Sequence, residues 1–266
     1  MNFLRTFSTL GCPDATLDSV LRIAADHGVG AVELRALEGT VDLPAVLAKR
    51  HGTPAAFAKR VAAQPVQVVA LDTSLKLCGS DDAAWRGLEA FLPWAEALGG
   101  VRLRVFDGGV SGDDDELAAM AARLEWWRAR RAERGWLSDL MIETHDSLFS
   151  AEKIRALAER VAAPPILWDS HHTWKRGGED PVDTWREIRP LVVHVHVKDS
   201  IAVPSARHPF TYVLPGDGIF PMAPLRVALA EGGCTHPLSL EWERLWHPYL
   251  EPLETALQTA NARGWW

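Results

Sequence analysis

Short apolar, β-branched runs alternate along the chain with longer stretches whose apolar residues recur at helical spacing, a pattern that predicts successive βα units and a parallel sheet. Strands are predicted over residues 3–10, 31–34, 66–71, 101–106, 140–144, 165–169, 191–198 and 238–242. Helices are predicted over 17–27, 82–98, 114–134, 151–161, 182–188, 222–230 and 253–262, with a further helical stretch over 43–63 interrupted at Gly52 and Pro54. Dividing 266 residues among eight units gives about 33 each, the size of one βα repeat in a (β/α)8 barrel of roughly 250 residues. No Ser/Pro/Gly tract or long block of like charge divides the chain, so one α/β domain, a single (β/α)8 TIM barrel over residues 1–266, is expected. The acidic run Asp113-Asp114-Asp115-Glu116 reads as the first turn of the helix that follows it.

In such a barrel the chemistry stands at the C-terminal ends of the strands. The fifth predicted strand ends Glu143-Thr144-His145 and the sixth ends Trp168-Asp169. The seventh contains His194-Val195-His196-Val197-Lys198-Asp199, and the eighth ends Ser239-Leu240-Glu241-Trp242. Side-chain alternation sends Val193, Val195 and Val197 toward the outer helices and His194, His196 and Lys198 into the barrel; Ser239 and Glu241 also face inward, and Glu143 shares a face with His145. Inward carboxylates need partners, because desolvating an unpaired one costs several kcal/mol. Glu143, Asp169, His196 and Glu241 together offer three carboxylates and one imidazole, a mainly hard oxygen set suited to one divalent cation, Mn²⁺, Mg²⁺ or Co²⁺, with Zn²⁺ also admissible. The competing reading is a set of buried salt bridges to arginines such as Arg104. His194 lies one layer deeper and fits a hydrogen-bonded core histidine, while Glu33 and Lys198 either neutralise neighbouring charges or bind substrate. Trp168, Trp174, Trp242 and Trp246 either wall a pocket or pack against helices. Gly216-Asp217-Gly218 is read first as a turn.

Composition narrows the partners. With 28 basic and 35 acidic residues the net charge is −7, which opposes binding to a phosphate backbone, so a small-molecule substrate is expected and nucleic acid is not. Cys12, Cys78 and Cys234 are odd in number and widely spaced, which suits neither a disulfide framework nor a thiolate zinc site and points to a reducing, cytoplasmic setting. Arg5 interrupts the N-terminal apolar stretch and no later run is long enough to cross a bilayer, so neither secretion nor membrane insertion is expected.

Several segments in barrel order carry a resemblance. They are Gly30-Ala31-Val32-Glu33-Leu34-Arg35, Arg104-Val105-Phe106, Glu143-x-His145, Asp169-x-x-His172, His194-x-His196-Val197-Lys198-Asp199, Pro215-Gly216-Asp217-Gly218, and Glu241. Over nearly its full length the chain resembles the xylose isomerase-like TIM-barrel superfamily, the sugar phosphate isomerase/epimerase group that includes ketose 3-epimerases, hydroxypyruvate isomerase, inosose dehydratase and 3-dehydroshikimate dehydratase. That resemblance implies a metal held by Glu143, Asp169, His196 and Glu241, with the two glutamates also serving as catalytic acid and base, and His172 near a substrate oxygen. Glu33, His145, His172, Lys198 and Arg207 are the substrate-binding candidates.

The expected activity is isomerisation or epimerisation of a sugar, sugar phosphate or hydroxyketone by proton transfer next to a metal-bound carbonyl. Dehydration of the inosose or 3-dehydroshikimate type is the alternative. An endonuclease IV-like role needs more histidine ligands and a basic surface, and a non-catalytic binding protein on this fold is the remaining alternative. Relatives of this kind are often dimers or tetramers, so a homodimer or homotetramer is expected, with Trp265 and Trp266 either in that interface or loose at the chain end.

Overall fold

The structure, a computed structural model, describes residues 3–266. Its strands are β1 (Leu4–Ser8), β2 (Ala31–Leu34), β3 (Gln67–Lys76), β4 (Arg102–Phe106), β5 (Leu140–Glu143), β6 (Ile166–Asp169), β7 (Val192–Val197), a short pair β8 (Asp199–Ile201) and β9 (Thr211–Val213), and β10 (Pro237–Leu240). Strands β1 to β7 and β10 close into a parallel barrel in chain order, with β10 sealing it between β7 and β1, while β8 and β9 pair antiparallel beside it. This is a (β/α)8 TIM barrel.

The helices are α1 (Leu17–Asp26), α2 (Leu43–His51), α3 (Pro54–Ala62), α4 (Asp82–Glu89), α5 (Leu92–Ala97), α6 (Asp114–Arg134), α7 (Ala151–Arg160), α8 (Ser170–Lys175), α9 (Pro181–Ile188), α10 (Met222–Glu231) and α11 (Leu253–Ala262). Most begin where a short polar side chain can accept a free backbone N–H of the first turn. Thr16, Asp42, Thr53, Asp81, Asp113, Ser150 and Asp180 all do so. In the acidic run, Asp113 is the cap and Glu116 folds back to accept the N–H groups of Val110, Ser111 and Gly112.

Several boundaries differ from expectation for local reasons. The helix predicted over 82–98 is two helices, because Pro93 cannot donate to the carbonyl of Glu89 and its ring would clash there. The first strand stops at Ser8, whose hydroxyl accepts the Leu10 N–H and starts a 3-10 turn over Thr9–Gly11. The third strand runs on to Lys76 and so carries Asp72 and Ser74 up to the barrel mouth. Helix α8 and the β8–β9 pair have too few residues for a periodicity signal.

The main apolar core lies between the strands and the helix ring, where Val32, Leu34, Val195, Val197, Leu238 and Leu240 are all fully buried. A second, small apolar layer of Ala70, Met141 and Leu167 plugs the barrel interior, with Val193 packed against it. That placement corrects the outward assignment of Val193. The register passes from Ile166 opposite Val192 to Leu167 opposite His194, so β7 carries one extra residue there. A bulge of this kind suspends the two-residue alternation, and Val193 and His194 can both turn inward. Trp265 and Trp266 are likewise neither loose nor waiting for another subunit. Both are buried within the chain, Trp265 against Phe220 and Trp266 beneath the guanidinium of Arg5.

Candidate metal and catalytic site

Glu143 ends β5, Asp169 ends β6, His196 lies in β7, and Glu241 follows directly after β10. Parallel register sets Asp169 opposite His196 and His196 opposite Ser239, which brings these strand ends level. One donor atom from each of Glu143, Asp169, His196 and Glu241 falls within 4.8 Å of the others, and all four side chains are buried. Asp169 has two functions at once. Its Oδ1 accepts the N–H groups of His171 (2.9 Å) and His172 (3.0 Å) and so starts α8, which leaves Oδ2 to face the cluster.

Beneath the cluster sits Glu33, with no exposed surface. His196 Nε2 is hydrogen-bonded to its Oε2 at 3.1 Å and lies 2.9 Å from Oε1, His194 Nε2 is 2.8 Å from Oε2 without hydrogen-bond alignment, and Ser239 Oγ donates to Oε1 at 3.0 Å. The Nε2–H of His196 is thereby committed to Glu33, and Nδ1 turns toward Glu241 Oε2 (3.4 Å) and Glu143 Oε1 (4.0 Å). An imidazole that donates one ring N–H to a carboxylate presents the other nitrogen to a cation with its orientation already set.

Positive side chains flank the cluster. Lys198 donates to Glu241 Oε2 and to Glu243 Oε1 (2.6 Å), and its Nζ is 2.8 Å from Asp169 Oδ2 without hydrogen-bond alignment. Arg104 Nε is 3.2 Å from Glu143 Oε2, and Nη2 of the same guanidinium is 3.9 Å from Asp72 Oδ2. Burial penalises every one of these charges, and the sign of each net shift follows from its neighbours. Burial pushes Asp169 up to about 7 against the pull of Lys198, whereas Lys198 and His196 overcome burial and hold Glu241 well below the usual carboxylate range. Lys198 is raised by Asp169, Glu241 and Glu243, and His196 by Glu33 and Glu241, both against burial. His172, buried and facing Lys198, is driven well below its ordinary value and stays neutral.

The donor set fits a divalent cation. His196 Nδ1, Glu143 Oε2 and Asp169 Oδ2 are buried without a hydrogen-bonded partner, and buried polar atoms in that state are rare unless a ligand completes them. Arg104 and Lys198 neutralise the carboxylates from the sides, so the salt-bridge alternative is partly realised, but neither cation satisfies His196 Nδ1.

The other expected site residues are distributed unevenly. His172 Nδ1 is 3.1 Å from both the Thr144 carbonyl oxygen and Asp169 Oδ2, with its ring edge-on to His145 at 5.1 Å. His145 lies at the mouth beside Phe106 and is bonded through Nδ1 to Asp146 Oδ1 (2.9 Å). Lys198 is in the cluster itself. Glu33 lies under the metal-ligand candidates and meets histidines rather than Lys198, and Arg207 is exposed in the loop between β8 and β9, outside the cluster. His171 points away from the site into an aromatic pocket of Trp174, Phe210, Tyr212 and Phe220, where Ser200 Oγ is 2.8 Å from its Nε2. Gly216 and Gly218 form a turn whose N–H groups bond to Asp199 Oδ2, and Asp217 pairs outward with Arg263. Trp168 and Trp242 pack in the core, while Trp246 is 39% exposed.

Residues that pattern alone did not single out are Glu243, Asp107 and Arg35. Glu243 is two residues beyond Glu241, and that spacing could have flagged it. Asp107, just past β4, accepts the backbone N–H groups of Gly109, His145, Asp146, Ser147 and Leu148 and fixes the loop that carries His145. It looks like any loop aspartate in sequence.

The fold and this cluster define a class: a closed parallel (β/α)8 barrel with a carboxylate–imidazole site at the C-terminal strand ends. Within that class the chain belongs to the xylose isomerase-like TIM barrel family, whose sequence profile matches residues 21–263. No curated protein matches by sequence. Solved structures match in fold. A probable 3-DHS dehydratase, AsbF, of Bacillus anthracis shares 17% identity over 98% of this chain and 99% of its own, with a TM-score of 0.78. The IolI protein, whose crystal structure holds a zinc atom, shares 17% identity over 98% and 96% with a TM-score of 0.74, and an L-ribulose 3-epimerase shares 17% over 98% and 93% with a TM-score of 0.72. At this identity the likeness is one of fold. Among the described residues no helix is long and apolar enough to cross a membrane.

Proposed function

We propose that this chain is a divalent-metal-dependent isomerase or epimerase of a small sugar or hydroxyketone, with Glu143, Asp169, His196 and Glu241 as the metal ligands. The observation that carries the proposal is the convergence of these four side chains with His196 Nδ1 and two carboxylate oxygens left without hydrogen-bonded partners. A cation held there, with Mn²⁺, Mg²⁺, Co²⁺ and Zn²⁺ all compatible with the donors, would polarise a substrate carbonyl and stabilise negative charge on its oxygen. Glu143 and Glu241 stand on strands separated by β6 and β7, so they approach a bound carbon from different sides. One removes its proton and the other returns a proton to the opposite face, which inverts the centre; return to the neighbouring carbon interconverts aldose and ketose. Lys198, held charged, keeps Glu241 ionised and at the same time lowers its proton affinity, so Glu241 gives a proton up readily once it has taken one. Neutral His172 hydrogen-bonds a substrate oxygen at the rim, beside His145.

Dehydration is the second reading, and the position of Lys198 favours it. After the same proton removal, the Lys198 ammonium beside Glu241 can hold the departing hydroxyl oxygen while the glutamate that took the proton returns it to that hydroxyl; the C–O bond breaks, its place is taken by a C=C bond to the deprotonated carbon, and water leaves. Incubation of the metal-loaded protein in D₂O with ketoses, inositol ketones and dehydroshikimate, followed by mass spectrometry, separates the two. Deuterium gain at constant carbon skeleton supports isomerisation or epimerisation, loss of 18 mass units (about one water) supports dehydration, and no change with any carbonyl compound while metal is bound refutes both.

A further inference from the structure

Arg35 is a buried cation with, among the described residues, no carboxylate in contact with it. It follows β2, on the same alternating face as Glu33, and Glu33 meets His194, His196 and Ser239 inside the barrel. Arg35 therefore points inward one layer nearer the mouth. Its backbone is fixed, because Thr9 Oγ1 accepts the N–H groups of both Arg35 (2.8 Å) and Ala36 (3.0 Å). Its guanidinium is held by a single side chain, Ser74 of β3, through Nη2 to Oγ at 2.9 Å. Nη1 is buried with no hydrogen-bonded partner, the residue is 5% exposed, and among the described residues no carboxylate oxygen lies within 4.0 Å of the guanidinium nitrogens.

Asp72, inward on the adjacent strand, leans toward Arg104 instead. The field of Arg104 adds to the cost of the unpaired charge, while Asp72, Glu143 and Glu241 offset it from a distance. Burial brings the guanidinium down to about 10, so it remains a cation at neutral pH. An unpaired buried charge costs several kcal/mol, and a fork already held by Ser74 on a backbone fixed by Thr9 loses little entropy when an oxyanion completes it.

We propose that Arg35 is the anion subsite of the substrate pocket: it receives a carboxylate or phosphate group of the substrate, opposite the end that lies at Glu143, Asp169, His196 and Glu241. The substrate class is thus an anionic hydroxyketone, a sugar acid or a sugar phosphate, rather than a neutral ketose. This assignment rests on the function proposed above only for the reacting end; the anion contact stands on Arg35 alone.

Two measurements test it. First, calorimetric titration of the metal-loaded protein with inorganic phosphate and with acetate should show binding that weakens at least about tenfold in Arg35→Gln, is partly kept in Arg35→Lys, and weakens less in Ser74→Ala, which only releases Nη2. The tighter probe identifies the group, phosphate for a sugar phosphate and acetate for a sugar acid. Second, in D₂O exchange Arg35→Gln should raise KM for anionic substrates at least about tenfold more than it raises KM for neutral ketoses. Equal probe affinity in Arg35→Gln and wild type, or no binding of either anion to wild type, overturns the proposal. Should Arg35→Gln fail to fold, the Lys and Ala variants still decide it, since unchanged affinity in both refutes the subsite. If no carbonyl compound exchanges deuterium but the probes bind through Arg35, the proposed reaction falls and the anion subsite stands.

Discussion

Replacing Glu33 by glutamine tests the layer under the cluster, where one buried carboxylate meets His194 at 2.8 Å, His196 at 2.9 Å and Ser239 at 3.0 Å. Glutamine keeps the volume and one acceptor oxygen. Its NH₂ group, however, faces an imidazole N–H with a donor, so one charge-assisted contact is lost and a second is weakened. A hydrogen bond to a charged group contributes about 1.5–3 kcal/mol, and breaking a buried pair from one side costs about 3–5 kcal/mol. With one acceptor retained, Glu33→Gln should lower the unfolding free energy of the metal-free protein by about 2–4 kcal/mol. Its effect on the cation comes through His196. Without a carboxylate on Nε2 the ring is free to protonate Nδ1 instead, and losing such an orienting partner typically weakens a metal site about 10- to 100-fold, or about 1.4–2.7 kcal/mol. Urea unfolding of the metal-free protein gives the first quantity, and competition for Mn²⁺ against a chelator gives the second. Ser239→Ala, which removes only one neutral donor, should cost about 1 kcal/mol and leave Mn²⁺ affinity within a few-fold of wild type. Wild-type Mn²⁺ affinity in Glu33→Gln would refute the argument that Glu33 orients His196, and unchanged unfolding in urea would show that the buried contacts contribute nothing net.

Further outcomes are expected. Asp169→Asn keeps an oxygen to cap α8, so it should stay folded while losing tight metal binding; a fully metallated variant by elemental analysis removes Asp169 from the ligand set. At saturating metal, Glu143→Gln and Glu241→Gln should each lose at least about 10²-fold in turnover, with one of them still exchanging deuterium into substrate; near-wild-type rates would make the glutamates ligands only. Cys12 is pushed up to about 12, mainly by burial and then by Glu254, against an ordinary 9.0. At pH 8 its thiolate fraction is then roughly 10³-fold smaller, so iodoacetamide should label this half-buried thiol about 10³-fold more slowly in the folded protein than in urea, and comparable rates would contradict the upward shift. Gly177→Ala would set a Cβ 1.9 Å from the Phe149 carbonyl oxygen, so a clearly lowered midpoint of thermal unfolding is expected, and an unchanged one would mean that this backbone contact relaxes freely.

Hydrophobic period and strand-end polarity are local properties, and they carried the eight-stranded barrel and the identity of the four clustered residues. Each βα unit repeats the same solution to burying one apolar face, so spacing alone announces the fold. Glu143, Asp169, His196 and Glu241 stood out because a carboxylate or imidazole at the polar end of an apolar strand is expensive unless it has a partner. What tertiary structure decided is which partner each group meets. Glu33 lies far from His194, His196 and Ser239 in the chain, and only barrel closure brings it against all three. A one-residue bulge in β7 reversed Val193, since alternation holds only while the register is unbroken. Arg207 and Arg35 are told apart only by their surroundings, the first exposed between β8 and β9 and the second buried after β2. An exposed loop arginine and a buried unpaired one look alike as letters, and the difference lies wholly in what the folded chain packs around them.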